Sequence, residues 1–392
     1  MQIIKLMEVM IMRRGRGSII KRGKHYSLVI DTGVDETGKR IRKWIAVKGG
    51  ERDAEKQLTN YLHQQDTGLF IAPTKITLSE YLAKWLKDYA KPKLATRSYD
   101  RYEDIIKRYI NPKLGRVLLH QLTPGQFQEL YSEWLEKGLS NATVRYHHAV
   151  IHNALRSAVK WGIAIRNVCD ALEVPKKQRT DMQIWNEEEI TKFLEFTKDS
   201  KYYELFYLAL FSGMRRSELL ALRWSDIDLE LGQVYVTRGL QQLKDSSLIF
   251  TQPKSEKSRR TIALPPSATA ILKEYRNHVA LSLALKAKTL ADNDLIFMRD
   301  NGKPIRPNTV TYAWKGMVKR SGLKPIRLHD CRHSHASLML AKGIHPKIVQ
   351  ERLGHSTIAM TLDTYSHVVP GLQEAAAKKF DSLFKTPVGK QV

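Results

Sequence analysis

The chain opens with a two-residue rhythm. GSIIKRGKHYSLVIDTG alternates apolar and polar positions, DETGK carries turn residues, and RIRKWIAV alternates again. This pattern predicts short strands over residues 18–47, arranged as a small three-stranded sheet. A helix follows, from about Glu51 to Gln65. From residue 77 the period changes to that of a helix. In TLSEYLAKWLKDY a Thr/Ser cap precedes Leu82, Trp85, Leu86 and Tyr89 on one face. In NATVRYHHAVIHNALRSAVKWG the apolar stripe reads Val144, His148, Ile151, Leu155 and Val159. The stretch Glu173 to Gln183 is polar and basic, holds a proline and has no period, so it reads as a linker. Asn186 then caps a helix, with Glu189 completing a capping box. The largest domain runs from there to about residue 385, its helices interrupted by strands between Gln233 and Leu264. In HPKIVQERLGH, Pro346 suits a first helical turn and Gly354 its exit, with Ile348, Val349 and Arg352–Leu353 facing inward. The fold class is therefore mainly α with small β elements, in three domains: residues 1–72, 75–174 and 181–392.

Charge changes this picture from a fold to a partner. Among 392 residues, 65 Lys and Arg stand against 40 Asp and Glu, a formal net charge of +25. Such a chain suits a polyanion, because neutralising phosphates releases condensed counterions. Charge alone does not choose among nucleic acid, heparin-like polymers and simple solvation. Arg13, Arg14, Arg16, Lys21, Arg22 and Lys24 precede or enter the first strands without an acid among them, as a nucleic-acid arm would. Cys169 and Cys331 are the two cysteines, too few for a disulfide framework and suited to a reducing cytoplasm. No apolar run is long enough to cross a bilayer. The N-terminus is apolar before it is basic, the reverse of a secretory signal, and Met7, Met10 and Met12 offer alternative starts.

Four segments of the last domain concentrate chemistry: FSGMRRSELLALRWSDID at 211–228, TQPKSEKSRRTIALP at 251–265, RLHDCRHSHASLML at 327–340 and ERLGHSTIAMTLDTYSHV at 351–368. His329, Cys331, His333 and His335 raise the question of zinc, as do His147, His148 and His152. The first group lacks a further ligand at sensible spacing, the other cysteine being far away in sequence, and the second lacks an accompanying carboxylate or thiol, so no metal is expected.

In this order the segments resemble the tyrosine recombinases, the family of phage-type and conjugative-transposon integrases, from about residue 18 onward. The family pattern falls on Arg215, Lys254, His329 with Arg332, His355 and Tyr365. Met214 and Cys331 stand where leucine is usual, both apolar exchanges.

The resemblance implies site-specific cutting and rejoining of DNA to integrate and excise a mobile element. Arg215 and Arg332 would hold the scissile phosphate with charges that persist at neutral pH. His329 and His355 would add hydrogen bonds and manage protons, and Tyr365 would attack. Lys254 would protonate the leaving 5′ oxygen, with Lys257 as the alternative in the same turn. Glu218 would pair with a basic group rather than react. The product would be a 3′-phosphotyrosyl ester that keeps the bond energy, so neither ATP nor a cofactor is implied. The partners implied are double-stranded DNA at core and arm sites, a homotetramer on that DNA, a directionality factor (excisionase) and a host DNA-bending protein. The setting implied is the bacterial cytoplasm, at the nucleoid. Two other classes share features of the sequence. They are a type IB topoisomerase-like enzyme, against which the N-terminal arm argues, and a non-catalytic DNA-binding regulator, against which the filled motif positions argue. The tail LQEAAAKKFDSLF is amphipathic, able to dock on its own domain or on a neighbour.

Overall fold

Alternating strands at the N-terminus pair as successive antiparallel neighbours in a computed structural model. It describes residues 11–14, 17–23, 25–34, 39–66, 75–177, 182–252, 259–365, 377, 380 and 381. Strands β2 (Gly17–Arg22), β3 (His25–Val34) and β4 (Arg40–Val47) are the three expected from the sequence. A fourth, β1 (Ile11–Arg14), adds to the outside of β2, so the sheet has the order β1-β2-β3-β4. An edge strand is recruited by backbone N–H and C=O groups, and basic side chains are tolerated there, so hydrophobic alternation does not announce it. Helix α1 (Glu51–Asp66) packs Ala54 and Leu58 on Ile19, Leu28 and Ile30. The expected DETGK turn lies mostly outside the described residues.

The chain divides into two compact units, Met1–Arg179 and Thr180–Val392. In the first, a helical bundle follows the sheet. Thr77 and Glu80 form a capping box that starts α2 (Leu78–Trp85). That helix continues through a π-helical turn, Leu86–Ala90, into α3 (Lys91–Lys93). Next, α4 (Thr96–Ile105) runs through a second π turn, Ile106–Ile110, into α5 (Asn111–Leu114). Each wide turn stands immediately before an X-Pro pair, Lys91-Pro92 and Asn111-Pro112. There it shifts the carbonyl that the proline ring would otherwise strike. Helices α6 (Pro124–Glu136) and α7 (Asn141–Lys160) close the bundle. Tyr81 Oη donates to the Ala154 carbonyl at 2.6 Å, and Trp85 Nε1 to Ser157 Oγ at 3.1 Å, so these aromatics enter the core with their polar ends satisfied. The α7 stripe differs from the expectation at two positions: His147 is buried and His148 only partly so, and Val159 is half-buried.

The second unit begins with α8 (Glu187–Thr197), capped by Asn186 with Glu189 as predicted. Then come α9 (Tyr203–Ser212), the single-turn α10 (Arg216–Leu219), and the short strands β5 (Ile227–Asp228) and β6 (Gln233–Val236). Strands β7 (Gly239–Gln242) and β8 (Leu248–Thr251) form a hairpin, while β9 (Arg260–Ala263) pairs with β6 to give the order β5-β6-β9. Helices α11 (Pro266–Ala284), α12 (Pro307–Ser321), α13 (Asp330–Ala341), α14 (Pro346–Leu353) and α15 (Ile358–Tyr365) follow. An aromatic core of Trp185, Phe193, Phe206 and Trp314 ties α8, α9 and α12 together, and Trp314 Nε1 donates to the Ile326 carbonyl just ahead of α13. On α14, Val349 and Leu353 face inward, but Ile348 is 54% exposed, contrary to the inward face read from the sequence. A helix of only two turns has room for one inward stripe, and Gln350 shares it. Among the described residues, no helix is long and apolar enough to cross a membrane.

Candidate active site

Three helix ends build the site. The first is the end of α9, where Gly213 adopts a left-handed conformation at φ +64°. A Cβ there would lie 2.9 Å from His335 Cδ2 and 2.9 Å from Leu353 Cδ2, so only glycine fits both the turn and the packing. The tight turn places Met214 inward and Arg215 at the N-cap of α10. The Glu218 carboxylate accepts from the Arg215 backbone N–H at 2.8 Å and from its Nη1 at 2.8 Å.

The second is the start of α13. His329 occupies the N-cap position, and Arg332 lies one turn in, with 2% exposure. Arg332 donates from Nη1 to the Gly213 carbonyl at 2.9 Å and from Nη2 to the Leu353 carbonyl at 2.5 Å. A single guanidinium thus covers unpaired carbonyls at the ends of both α9 and α14. Asp330 is fixed by three bonds from Arg327, through its backbone N–H, Nε and Nη2.

The third is the end of α14. Pro346 starts the helix and Gly354 ends it at φ +67°, as the sequence predicts. His355 follows, buried, with Nδ1 2.9 Å from Thr361 Oγ1 on α15 and its carbonyl accepting from Gln350 Nε2 at 2.7 Å. Tyr365 is the last residue of α15, four positions after Thr361. Lys254 and Lys257 fall in the sequence between β8 and β9, outside the described residues.

Electrostatics shows that these groups share one environment. Burial lowers the His355 pKa, and the charges of Arg332 and then Arg215 lower it further, to about 4. His329 is lowered by burial first and next by Arg332, with Arg215 also contributing. His333, whose ring centroid lies 5.1 Å from that of His329, is lowered to about 4 by burial and by His329. At neutral pH these imidazoles are uncharged among cations, able to donate one hydrogen bond and accept another. An anion entering beside Arg215 and Arg332 would offset the cations and raise the basicity of His355 and His329.

The sequence reading missed three residues here. Arg260 places both Nη atoms on the Glu218 carboxylate, at 3.1 and 2.8 Å, and its Nε on the Arg352 carbonyl at 2.7 Å. Burial alone would raise the Glu218 pKa, but bonds and charge from Arg260, then from Arg215, bring it down to about 2. Glu218 therefore pairs with cations, as expected. Arg352 and His335 complete the set, and both ring nitrogens of His335 are taken up by protein groups. Arg260 stood in view in the RRT run, but nothing in a linear sequence says which arginine of a basic turn points inward. In the other histidine group, Asp170 does accompany His152, at 2.8 Å, a carboxylate that the sequence reading did not pair with it.

Residues 183–370 match the phage integrase family, and residues 77–135 match the phage integrase N-terminal SAM-like domain. The chain is 29% identical over 385 residues to a tyrosine recombinase XerC-like protein of Caldanaerobacter subterraneus, covering 93% of this chain and 98% of that one. It is 30% identical over 316 residues to the ICEBs1 integrase of Bacillus subtilis, covering 79% and 83%. Among solved structures it resembles the Tn1549 transposon integrase in complex with transposon right end DNA, with TM-score 0.66, 21% identity, and coverage of 79% of this chain and 99% of that one. It also resembles a lambda integrase tetramer bound to a Holliday junction, with TM-score 0.57, 20% identity and coverage of 90% and 96%.

Proposed function

The chain belongs to the phage integrase family of tyrosine recombinases, and from that premise we propose that Tyr365 cuts one DNA strand at a time, with Arg215, Arg332, His329, His355 and Lys254 assisting, to integrate and excise a mobile element. The observation that carries the assignment is convergence. Arg215, Arg332 and His355 come from three separate helix ends, yet Arg332 bonds the carbonyls of Gly213 and Leu353, each two residues before Arg215 and His355 respectively.

Attack on a phosphodiester builds negative charge on its non-bridging oxygens. Arg215, on the rim, and Arg332, beneath it, supply fixed positive charge where that negative charge develops. A phenol has an ordinary pKa of about 10, so Tyr365 needs help losing its proton. A neutral imidazole, made more basic once the phosphate is bound, can take it. Lys254 protonates the departing 5′ oxygen. The 3′-phosphotyrosyl ester then keeps the energy of the broken bond, and a 5′ hydroxyl reverses the step.

The division into an arm-type DNA-binding domain (residues 1–72), a core-binding domain (75–174) and a catalytic domain (181–392) belongs to the same proposal. It is supported by separate apolar cores around Leu28, around Trp85 and around Trp185. The proposed assembly is a tetramer on two duplex sites, aided by a directionality factor and a host DNA-bending protein, in the bacterial cytoplasm at the nucleoid. Lambda integrase, which this chain resembles in fold, forms a tetramer on a Holliday junction.

Tyr365→Phe tests the assignment. On a nicked duplex spanning an end of the element that encodes the chain, the variant should bind DNA yet leave no covalent adduct on a denaturing gel. A protein–DNA adduct that persists in this variant would remove Tyr365 from its role.

A further inference from the structure

All three guanidinium nitrogens of Arg352 bond to protein groups. Nε donates to His335 Nε2 at 2.9 Å, Nη1 to the Ala263 carbonyl at 2.8 Å and Nη2 to the Phe211 carbonyl at 2.9 Å. The His335 Nδ1 lies 2.9 Å from the Leu210 carbonyl. A carbonyl only accepts, so Nδ1 carries the proton and Nε2 is the lone pair that receives Arg352. Burial, then the charge of Arg352, pushes the His335 pKa down to about 3, which keeps the ring in this acceptor form.

These bonds close a ring through the site. Arg352 holds Phe211, four residues before Arg215. The Arg215 backbone N–H is held by Glu218, Glu218 by Arg260, and Arg260 donates back to the carbonyl of Arg352. Arg352 itself stands three residues before His355, and His335 stands one turn after Arg332 and directly under Gly213. We infer that Arg352 and His335 act as a positioning pair for DNA cleavage, setting the backbone on which Arg215 and His355 stand without touching the substrate. This rests on the catalytic reading above. It adds a pair of residues whose contacts are with carbonyls and with each other. Cleavage is sensitive to such support, because a displacement of about 1 Å at reacting groups can cost on the order of 100-fold in rate.

The test uses the full-length chain and the same nicked element-end duplex, with His335→Phe, Arg352→Met, Arg352→Lys and the His335→Phe/Arg352→Met double variant. Duplex affinity, thermal midpoint and single-turnover adduct formation at saturating protein are measured for each. His335→Phe and Arg352→Met should each slow adduct formation by roughly 10–100-fold while affinity changes by less than about threefold, a split that general loss of folded protein does not give. Because the two residues act as a unit, the double variant should be no slower than the slower single one. Arg352→Lys keeps the charge and so guards against misfolding of the methionine variant. It should still be slow, since one ammonium does not span three acceptors arranged for a planar fork. Wild-type rates at saturation in Arg352→Lys or His335→Phe would overturn the inference, as would losses that multiply in the double variant. Absence of a Tyr365 adduct in the unmutated chain would instead defeat the catalytic reading itself.

Discussion

Two helices of this protein carry runs of histidine, and the contrast between them separates packing from chemistry. On α7, His147 is buried with its ring 4.5 Å from Tyr109 and 5.0 Å from Trp134, His148 Nδ1 is 3.0 Å from Tyr131 Oη, and His152 pairs with Asp170. At α13, His329, His333 and His335 stand among Arg215, Arg332 and Arg352. Each group holds an imidazole well below its ordinary pKa, His147 on α7 and His333 and His335 on α13, and in each the first cause is burial. For His147 and for His355 the second cause is an arginine's charge, but the number of arginines differs. His147 is lowered to about 4 with a contribution from one arginine, Arg101, in an aromatic core. His355, beside the second group, is lowered to about 4 under several converging guanidiniums. An anion arriving between Arg332 and Arg215 would relieve the latter depression. A depressed histidine pKa is therefore not a mark of function by itself; a depression that a phosphate can relieve is.

The sharpest way to break this contrast is at Arg215. Arg215→Ala should slow adduct formation by roughly 10²–10³-fold, the usual cost of one lost transition-state donor. His147→Phe should leave that rate at the wild-type value. A comparable loss from both variants, measured in single turnover, would erase the distinction.

Next in size is Glu218→Ala, which removes the carboxylate that both Nη atoms of Arg260, a side chain 6% exposed, bond. Removing one partner of a buried pair costs about 3–5 kcal/mol. Denaturant unfolding followed in the Thr180–Val392 unit should show a midpoint lowered to match, and an unchanged midpoint would mean that Arg260 finds another partner.

Acid should act on both histidine groups but through separable residues. A histidine with a lowered folded pKa binds fewer protons folded than unfolded. Its contribution to stability is complete above the ordinary value near 6.5 and declines as pH falls toward about 4 for His147. Glu218, held at about 2, keeps its contribution through that window and loses it only between about 4.5 and 2. Amide protection factors in α7, taken relative to the intrinsic exchange rate at each pH, should therefore drop between pH 7 and pH 5, and His147→Phe should remove that drop in α7 while leaving it in α13. Equal acid sensitivity of α7 in the variant would assign the effect elsewhere. Smallest of all, His152→Asn should change stability by no more than about 0.5 kcal/mol in a denaturant titration, because its pair with Asp170 is largely in solvent.

The sequence announced what depends on neighbours along the chain. Capping residues Thr77, Asn186, Pro346 and Gly354 mark helix ends through bonds made within a few positions, and the structure places each as read. The motif order likewise pointed to Arg215, Arg332 and His355, which the structure brings together. Less legible was whatever depends on distant partners. The fourth strand forms by backbone pairing at an edge, so its basic side chains gave no alternation. That His147 and not His148 faces the core of α7 depends on Tyr109 and Trp134, both on other helices. The bonds of Arg260 and Arg352 could not be read locally because their acceptors, Arg352 O and Phe211 O, lie 92 and 141 residues away.

Those separations bear on when the protein becomes dangerous to DNA. Arg332 must find Gly213 across 119 residues, and Arg352 must find Phe211 across 141. Contacts that close loops of this length form only after much of the intervening chain has collapsed. On a ribosome, the end of α9 emerges long before the arginines that brace it, and Tyr365 emerges after both. A nascent or truncated chain can thus present basic surface to DNA while its cutting centre is still unassembled. On the proposed assignment, strand breakage would await synthesis and folding of the second unit as far as Tyr365.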